Sequence, residues 1–403
     1  MRVLALNCGS SSVKSALIDT ASGRRLQEIH VENIGSEQVR LHAGAQVHDL
    51  DAGTNLQAAV DELLACYAGR FQRGNAVSTE SLTSSVAAVA HRLVHGGPKF
   101  VDPTRLDDAV LGEIEQLNHL APLHNPPALT ALRSARAALP NVPHFAVFDT
   151  AFHATLPDHA REYALPADVR KRYGIRRFGF HGINHEHVAR SVAAYLQIDL
   201  EKLRIICCHL GNGASVTAIE QGRSVDTSMG MTPLEGLIMG TRAGDVDPGV
   251  LLQLGRSGDI DADQLDDLLN KRSGLKGLVG TNDLREIQRR ASAGDQDCEL
   301  AIAMYVHRIR KYIGAYVAAM GGVDVIAFTA GVGEHSALIR RRCLERLDFM
   351  GATLDAARNE KVKLTSDAPI AVLNAPTSRV HLLAVRADEE FAMARAVAAA
   401  LGE

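Results

Sequence analysis

The sequence predicts an α/β protein built from two related domains, and three observations point there. Segments of strand character alternate with segments of helical periodicity along the chain. At 403 residues the chain is too long for one ordinary core, so two domains are expected. The third observation is an internal echo: NCGSS-SVKSALID, which begins at Asn7, lies over HLGNGASVTAIE, which begins at His209, with one gap. Each copy reads as an apolar strand, a Gly/polar turn and an alternating strand. Two chance hairpins would look alike, but two such turns so far apart suggest duplicated domains facing one ligand.

Each element follows in order. Up to about residue 50 the chain alternates strands and polar turns. The apolar run VLAL stops at Asn7, Gly9-Ser10-Ser11-Ser12 turns the chain, and VKSALID alternates in character. QAAVDELLACYAGRF has an amphipathic helical pattern. The Ser/Thr-rich STESLTSS precedes the strand VAAVAHRLV, the turn HGGPKF and the helix LDDAVLGEIEQLNHLA. In LHNPPALTALRSARAAL, Asn125 is the expected N-cap, with Pro126 at the first helical position. HFAVFDT reads as a strand ending at Asp149. Past residue 150, loops rich in His and Arg lead to the helix HEHVARSVAAYL, with Asn184 read as its N-cap, and to the strand RIICCHL. DADQLDDLLNKR and CELAIAMYVHRIRKYIGAYVAAM read as helices, VDVIAFTA as a strand, and SALIRRRCLERL and DEEFAMARAVAAAL as helices.

Composition narrows the function. A hydrophobic content of 46% with 22% charged residues is that of a globular chain. The balance of 43 Lys+Arg against 47 Asp+Glu argues against a dedicated nucleic-acid or membrane-surface protein. No apolar run is long enough to span a bilayer, and the start is too short and too soon polar for a signal peptide. The six cysteines, Cys8, Cys66, Cys207, Cys208, Cys298 and Cys343, form no CxxC pair. That usage fits a reducing compartment, so a cytoplasmic location is expected.

Two readings of the opening turn stand side by side. Gly and Ser serve any hairpin. They also let backbone N–H groups point at an anion, with Lys14 adding a point charge. It is not a P-loop, because GxxxxGK[ST] is absent and a strand follows. A third Gly turn, Ala330-Gly331-Val332-Gly333-Glu334, follows an apolar strand and opens a helix, whose N-terminus favours anions. As one of a set of three, it favours a nucleotide lodged between domains.

The segments NCGSSSVK, HRLVHGG, APLHNP, FDTAFH, RRFGFHG, CHLGNGAS, SVDTSMG, TPLEG, GTRAGDVDPG, GVGEHS and ADEE, in this order, resemble the acetate kinase family. The resemblance covers nearly the whole chain. It implies two duplicated actin-like, ribonuclease H-like domains with a nucleotide cleft between them. The first would take residues 1–150 and be completed by a C-terminal helix, 386–403; the second, 151–385, would carry most of the nucleotide site. The implied reaction is ATP + acetate ⇌ ADP + acetyl phosphate with Mg²⁺, Mn²⁺ being a substitute, in a homodimer.

The resemblance also implies roles. Arg92 and Arg242 would hold the reacting anions, where a planar guanidinium fork suits carboxylate and phosphoryl groups. His181 would donate to the phosphoryl group, with His124 in support. His181, His185 and His187 could in principle share a metal, but His181 is expected to precede the helix. Asp149, awkward at the end of an apolar strand, would be an acid/base or a magnesium residue. Magnesium is favoured, because acetate is already ionised at neutral pH. Asn7 and Glu389 match magnesium positions. Lys14, with Ser10 and Ser12, His209-Leu210-Gly211-Asn212-Gly213, Asp283-Leu284-Arg285 and Gly331-Val332-Gly333-Glu334-His335 would meet the nucleotide. Val94, Leu123, Phe180 and Pro233 would surround the acetate methyl.

The sequence departs from the family pattern at Ile183-Asn184, Ala330, His335 and Pro98. The competing readings are a kinase of a slightly larger acid such as propionate, and a nucleotide-binding sensor without phosphoryl transfer. Arg92, Asp149, His181 and Arg242 together argue for catalysis, since a nucleotide clamp does not need the acyl-side groups.

Overall fold

Strand β1 (Arg2–Cys8) is where the first sheet is assembled. Its period of two puts Leu4 and Leu6 on one face and Val3 and Ala5 on the other. All four are buried, so β1 is covered on both sides. The structure is a computed structural model that describes residues 1–9, 11–69, 85–122 and 124–403. It divides into two compact units, Met1–Ala151 with Asp388–Glu403, and Phe152–Ala387.

The first unit holds β1, β2 (Ser12–Asp19), β3 (Arg24–Glu32), β4 (Arg40–Ala43), β5 (Gln46–Asp49), β6 (Ala88–Leu93), β7 (Thr104–Arg105) and β8 (His144–Phe148). They form one sheet in the order β5-β4-β3-β2-β1-β6-β8-β7. The run β1 to β5 is antiparallel. From β1 outward, β6 and then β8 are added in parallel. One face, with Leu4, Leu6, Val13, Leu17, Ile29 and Val31, is sealed by the helices Leu56–Tyr67 and Asn125–Ala138. The helix Glu389–Ala400 lies against β1, β2, β6 and β8 and buries Met393, Ala394 and Val397.

The second unit holds β9 (Arg204–Leu210), β10 (Ala214–Glu220), β11 (Arg223–Thr227), β12 (Val325–Thr329), β13 (Ile370–Val372) and β14 (His381–Val385), ordered β11-β10-β9-β12-β14-β13. Here the antiparallel meander has three strands rather than five, and it too is extended from its first strand by two parallel strands. The echo between NCGSS and HLGNG is therefore the same hairpin in the same place in each sheet. Helix Gly182–Leu196 packs Val188, Ala189 and Val192 onto Ile205, Cys207, Val325 and Ala327. Both Cys207 and Cys208 are buried in β9, as the apolar run IICCHL requires.

Two expected caps are corrected. The helix after LHNP runs Asn125–Ala138 with His124 at its N-cap. Asn125 does not cap it; its Oδ1 accepts from His95 N and its Nδ2 donates to His95 O, both at 3.2 Å. The buried His95 backbone N–H and C=O need partners, and the Asn125 amide supplies both. Asn184 is not a cap either, because the helix begins at Gly182, directly after His181 in left-handed geometry at φ 58. His181 still precedes the helix, as expected.

The strand β12 passes straight into the short helix Ala330–His335, and the corner is Ala330 at φ 64. A Cβ in left-handed backbone is crowded by the carbonyl that follows. The helix end is held by Arg340, itself buried, whose Nη1 donates to the carbonyls of Gly333 (2.9 Å) and Glu334 (2.7 Å). Burial pushes the Arg340 guanidinium down to about 10. Ala330→Gly is expected to stabilise the protein by about 1 kcal/mol, by relieving the left-handed strain against a smaller entropic loss. The urea midpoint at unchanged m-value measures it; a midpoint at or below that of the unmodified protein would show that the methyl packs too well to be strained.

Candidate active site

In the first unit the carboxyl ends of three adjacent strands bring polar groups together. β1 delivers Asn7, β6 delivers Arg92, and Asp149 follows β8, its N–H bonded to Leu93 O at 3.0 Å. Ligands of open α/β sheets bind at such strand ends. Arg92 grips Asp149 with two hydrogen bonds, Nε to Oδ1 at 3.0 Å and Nη2 to Oδ2 at 2.6 Å. Its Nη1 donates to Asn7 Oδ1 at 3.0 Å and lies 3.7 Å from Glu389 Oε2. Asn7 Nδ2 donates to the same Glu389 oxygen at 2.8 Å. Asn7 can satisfy both neighbours only in this orientation, with oxygen to the cation and nitrogen to the carboxylate. Burial works against the charge on Arg92, but the carboxylates of Asp149 and Glu389 outweigh it and raise the guanidinium above its ordinary value.

Glu389 opens the C-terminal helix, whose N-cap Asp388 accepts from its own Phe391 N at 3.0 Å. Arg25 on β3 pairs with Asp388 and, at 3.3 Å, with Glu390, and so fixes the helix start that carries Glu389. The oxygen donors Asn7, Asp149 and Glu389 suit a hard dication that keeps several waters.

The second unit gathers its own set around the turn 211–213 between β9 and β10. Gly213 has no side chain where one would lie 3.4 Å from His181 Nε2 and 3.7 Å from Arg242 Nη1. His181 stacks on His209, centroids 4.1 Å apart. A Cβ on Gly211 would meet the methyl of Ala330 at 3.8 Å and His209 Nε2 at 3.9 Å. Asn212 ties the turn outward: its carbonyl accepts from Gly240 N at 2.9 Å, and its Oδ1 accepts from Asn282 Nδ2 at 2.9 Å. A Cβ on Gly240 would strike that Oδ1 at 1.9 Å, so a side chain there would displace the Asn212 amide from Asn282. Arg242 Nη1 donates to Pro233 O at 3.3 Å, and burial lowers its guanidinium below the ordinary value.

Ser215 bridges two imidazoles. Ser215 Oγ lies 2.9 Å from His181 Nδ1 and 2.8 Å from His185 Nε2. His185 Nδ1 is buried without a hydrogen-bond partner. A buried N–H with no acceptor costs more than a bare ring nitrogen, so the His185 proton sits on Nε2. It is donated to Ser215, whose oxygen also lies within hydrogen-bond reach of His181 Nδ1. The other His181 nitrogen, Nε2, is the one nearest the space a Cβ on Gly213 would take. Burial first, then neighbouring His153 and His209, hold His185 well below the ordinary imidazole value, so it stays neutral.

The structure therefore joins Asn7, Arg92, Asp149 and Glu389 in one unit, and His181, His209, Gly211, Asn212, Gly213 and Arg242 in the other. Lys14 is exposed on β2, directly opposite Asn7. Ser12 starts β2 and its carbonyl accepts from Gly9 N at 2.8 Å. Val94 and His124 are half-buried in the first unit, Pro233 is half-buried and Phe180 fully buried in the second. Leu210 and Leu284 are buried. Asp283 caps the helix Leu284–Ser292 and pairs with Arg285 at 2.8 Å. Gly331 and His335 are exposed, Val332 is half-buried, Gly333 is buried, and Glu334 Oε1 accepts from Ala387 N at 2.8 Å. Ser10 and Leu123 lie outside the described residues. Reading the sequence missed Ser215 and Gly240 as positioning residues. The i, i+4 spacing of His181 and His185 was the available signal for a shared partner.

The acetokinase family model matches residues 2–395. The chain belongs to the acetokinase family. The acetate kinase of Clavibacter sepedonicus is 46% identical over 407 residues, covering 99% of each chain. Among solved structures, Porphyromonas gingivalis acetate kinase superposes with a TM-score of 0.89 at 40% identity, covering 99% of each chain. A propionate kinase from Francisella tularensis subsp. tularensis SCHU S4 gives 0.88 at 35%, covering 98% of each. The two-sheet architecture is thus the duplicated actin-like one of these kinases. Two departures from the family pattern acquire a place. Asn184 Nδ2 reaches His209 Nδ1 at 2.8 Å and Thr329 Oγ1 at 3.4 Å. Ala330 supplies the methyl beside Gly211. Pro98 is exposed, and nothing in the structure explains it.

The buried histidines give the stability a pH dependence. His153, bonded to Ser224 Oγ (2.8 Å) and Phe180 O (3.0 Å), is lowered by burial from 6.5 to about 4. The unfolded chain then binds the extra proton between these values, so stability is full above about pH 6.5 and falls as pH drops towards 4. Going from pH 7 to pH 5 should cost about 2 kcal/mol through His153. Urea unfolding at both pH values checks this: His153→Gln should show a smaller loss, and an identical loss would remove His153 from the account.

Proposed function

We propose that this chain is an acetate kinase, transferring the γ-phosphoryl group of ATP to acetate to give acetyl phosphate and ADP, reversibly and by direct in-line transfer. The observation that carries the reading is the acetokinase match across residues 2–395, which includes Arg92 already fixed by Asp149 and Asn7. Acetate is ionised at neutral pH, so its attack on phosphorus needs no base. What the reaction needs is positioning and neutralisation of charge. Arg92, held rigid by a two-point carboxylate grip, would position an anion. His181, through Nε2, and Arg242 would donate to the phosphoryl oxygens as charge develops. The turn Gly211–Gly213, whose two glycines carry no side chain, would let the nucleotide phosphates approach the backbone. Magnesium, held through Asn7, Asp149 and Glu389, would neutralise phosphate charge. Six free cysteines, five of them buried, suit a reducing compartment, and the reading extends to a cytoplasmic homodimer.

The likeness to a propionate kinase at a TM-score of 0.88 favours a second reading, a kinase of a slightly larger acid. Trapping acyl phosphate with hydroxylamine tests both, with kcat/KM taken for acetate, propionate and butyrate. Acetate is expected to lead propionate by roughly ten-fold or more, since a methylene in an apolar pocket is worth about 1–3 kcal/mol. Equal or better use of propionate would move the assignment to the larger acid. No acyl phosphate from any acid would leave a nucleotide-binding protein without transfer. Val94→Ala should narrow the gap between acetate and propionate, and an unchanged ratio would remove Val94 from the acyl site. Arg242→Lys keeps the charge but loses the planar fork. It is expected to lower kcat more than it raises the acetate KM; a pure rise in KM would make Arg242 a ground-state binder.

A further inference from the structure

Strands β3 and β4 carry a set of side chains that the reaction above does not use. His30 and Glu32 stand two apart on β3 and therefore share one face of the sheet. His42 on β4 lies directly opposite His30. The two imidazoles stack, centroids 4.1 Å apart and planes 7° from parallel. His42 Nε2 is 3.1 Å from Glu32 Oε1, and one donor atom from each of the three residues lies within 4.8 Å of the others. All three side chains are half-buried, so solvent reaches them while the sheet fixes their Cα positions. Among the described residues, this is the only such trio of histidine, cysteine and carboxylate donors.

The donor chemistry differs from that of the site at Asn7, Asp149 and Glu389. Two imidazoles and one carboxylate select a borderline dication over magnesium. Three protein ligands with an open fourth position is a common zinc arrangement. Zinc–ligand bonds of about 2.0–2.2 Å place ligand atoms roughly 3.3 Å apart, so side-chain rotation alone closes the set. We propose that His30, Glu32 and His42 form a binding site for a divalent transition metal of the zinc class. The site shares a sheet face with the candidate active site. Register pairs Asn7 with Lys14, Lys14 with His30 and His30 with His42, in one row across four strands. A dication held here adjoins the Lys14 ammonium, two strands from Asn7.

Metal-stripped full-length protein, kept in excess magnesium to occupy oxygen-rich sites, is titrated with Zn²⁺ by calorimetry and with Co²⁺ by visible absorption. One zinc equivalent should bind the unmodified protein and raise its Tm, and Co²⁺ should show the intense bands of a low-coordinate imidazole site. His30→Ala and His42→Ala should each weaken zinc by at least the roughly ten-fold that even an outer-shell change costs. Glu32→Gln and His42→Gln, which keep the cross-strand contact polar, serve if an alanine variant misfolds. Turnover with magnesium alone should not change in these variants. Zinc bound as tightly by the histidine variants as by the unmodified protein, or no saturable binding by the unmodified protein, would overturn the proposal and leave a cross-strand histidine pair.

Discussion

The first unit depends on one buried ion pair. Asp149 is almost wholly shielded from water and sits at the end of an apolar strand, where a bare carboxylate would be untenable. Arg92, whose side chain keeps 21% exposure, makes it tenable with a two-point grip, and removing Arg92 would leave the buried carboxylate without that cation. The pair fixes more than itself. Arg92 has a donor left for Asn7, and Asn7 in turn orients Glu389. Three strand ends and the start of the C-terminal helix are thereby tied to a single guanidinium. Its cost in stability and its rigidity have the same origin, because a charge taken out of water has few other places to go.

The second unit solves a related problem with neutral groups. His185 is buried uncharged, Ser215 bridges two imidazoles, and His181 Nε2 lies nearest the Gly213 turn. Glycines at 211, 213 and 240 remove the side chains that would fill this space. Ala330, by contrast, places a methyl beside the turn at a backbone angle that favours glycine. Local strain of this kind concentrates where a protein binds or reacts. Both units put their polar groups at the carboxyl ends of parallel strands, because the same strand order was used twice.

Much of this was legible in the sequence. RIICCHL is an unbroken apolar run and is the buried strand Arg204–Leu210 to the residue. The echo between the two Gly turns foretold the repeated hairpin, since period-two patterning and turn residues are local properties. The caps were less legible. Asn125 and Asn184 both carry the residue type that caps helices, yet one clasps the His95 backbone and the other reaches His209. A polar side chain serves the costliest unsatisfied group in reach, and that group lies far away in sequence.

By itself, the sequence determined the alternation of strands and helices, the position of the two hairpin turns and the family to which the chain belongs. Those follow from short-range pattern and from motifs in order. The third Gly segment, expected as a turn before a helix, is itself the short helix Ala330–His335. Only the tertiary structure decided that Arg92 is shared between Asp149 and Asn7, that Ser215 joins His181 to His185, and that His30 faces His42. Each is a contact between residues distant along the chain or across strands. Register and burial create such contacts, and with them the desolvation that makes every charge and proton in the site choose a partner.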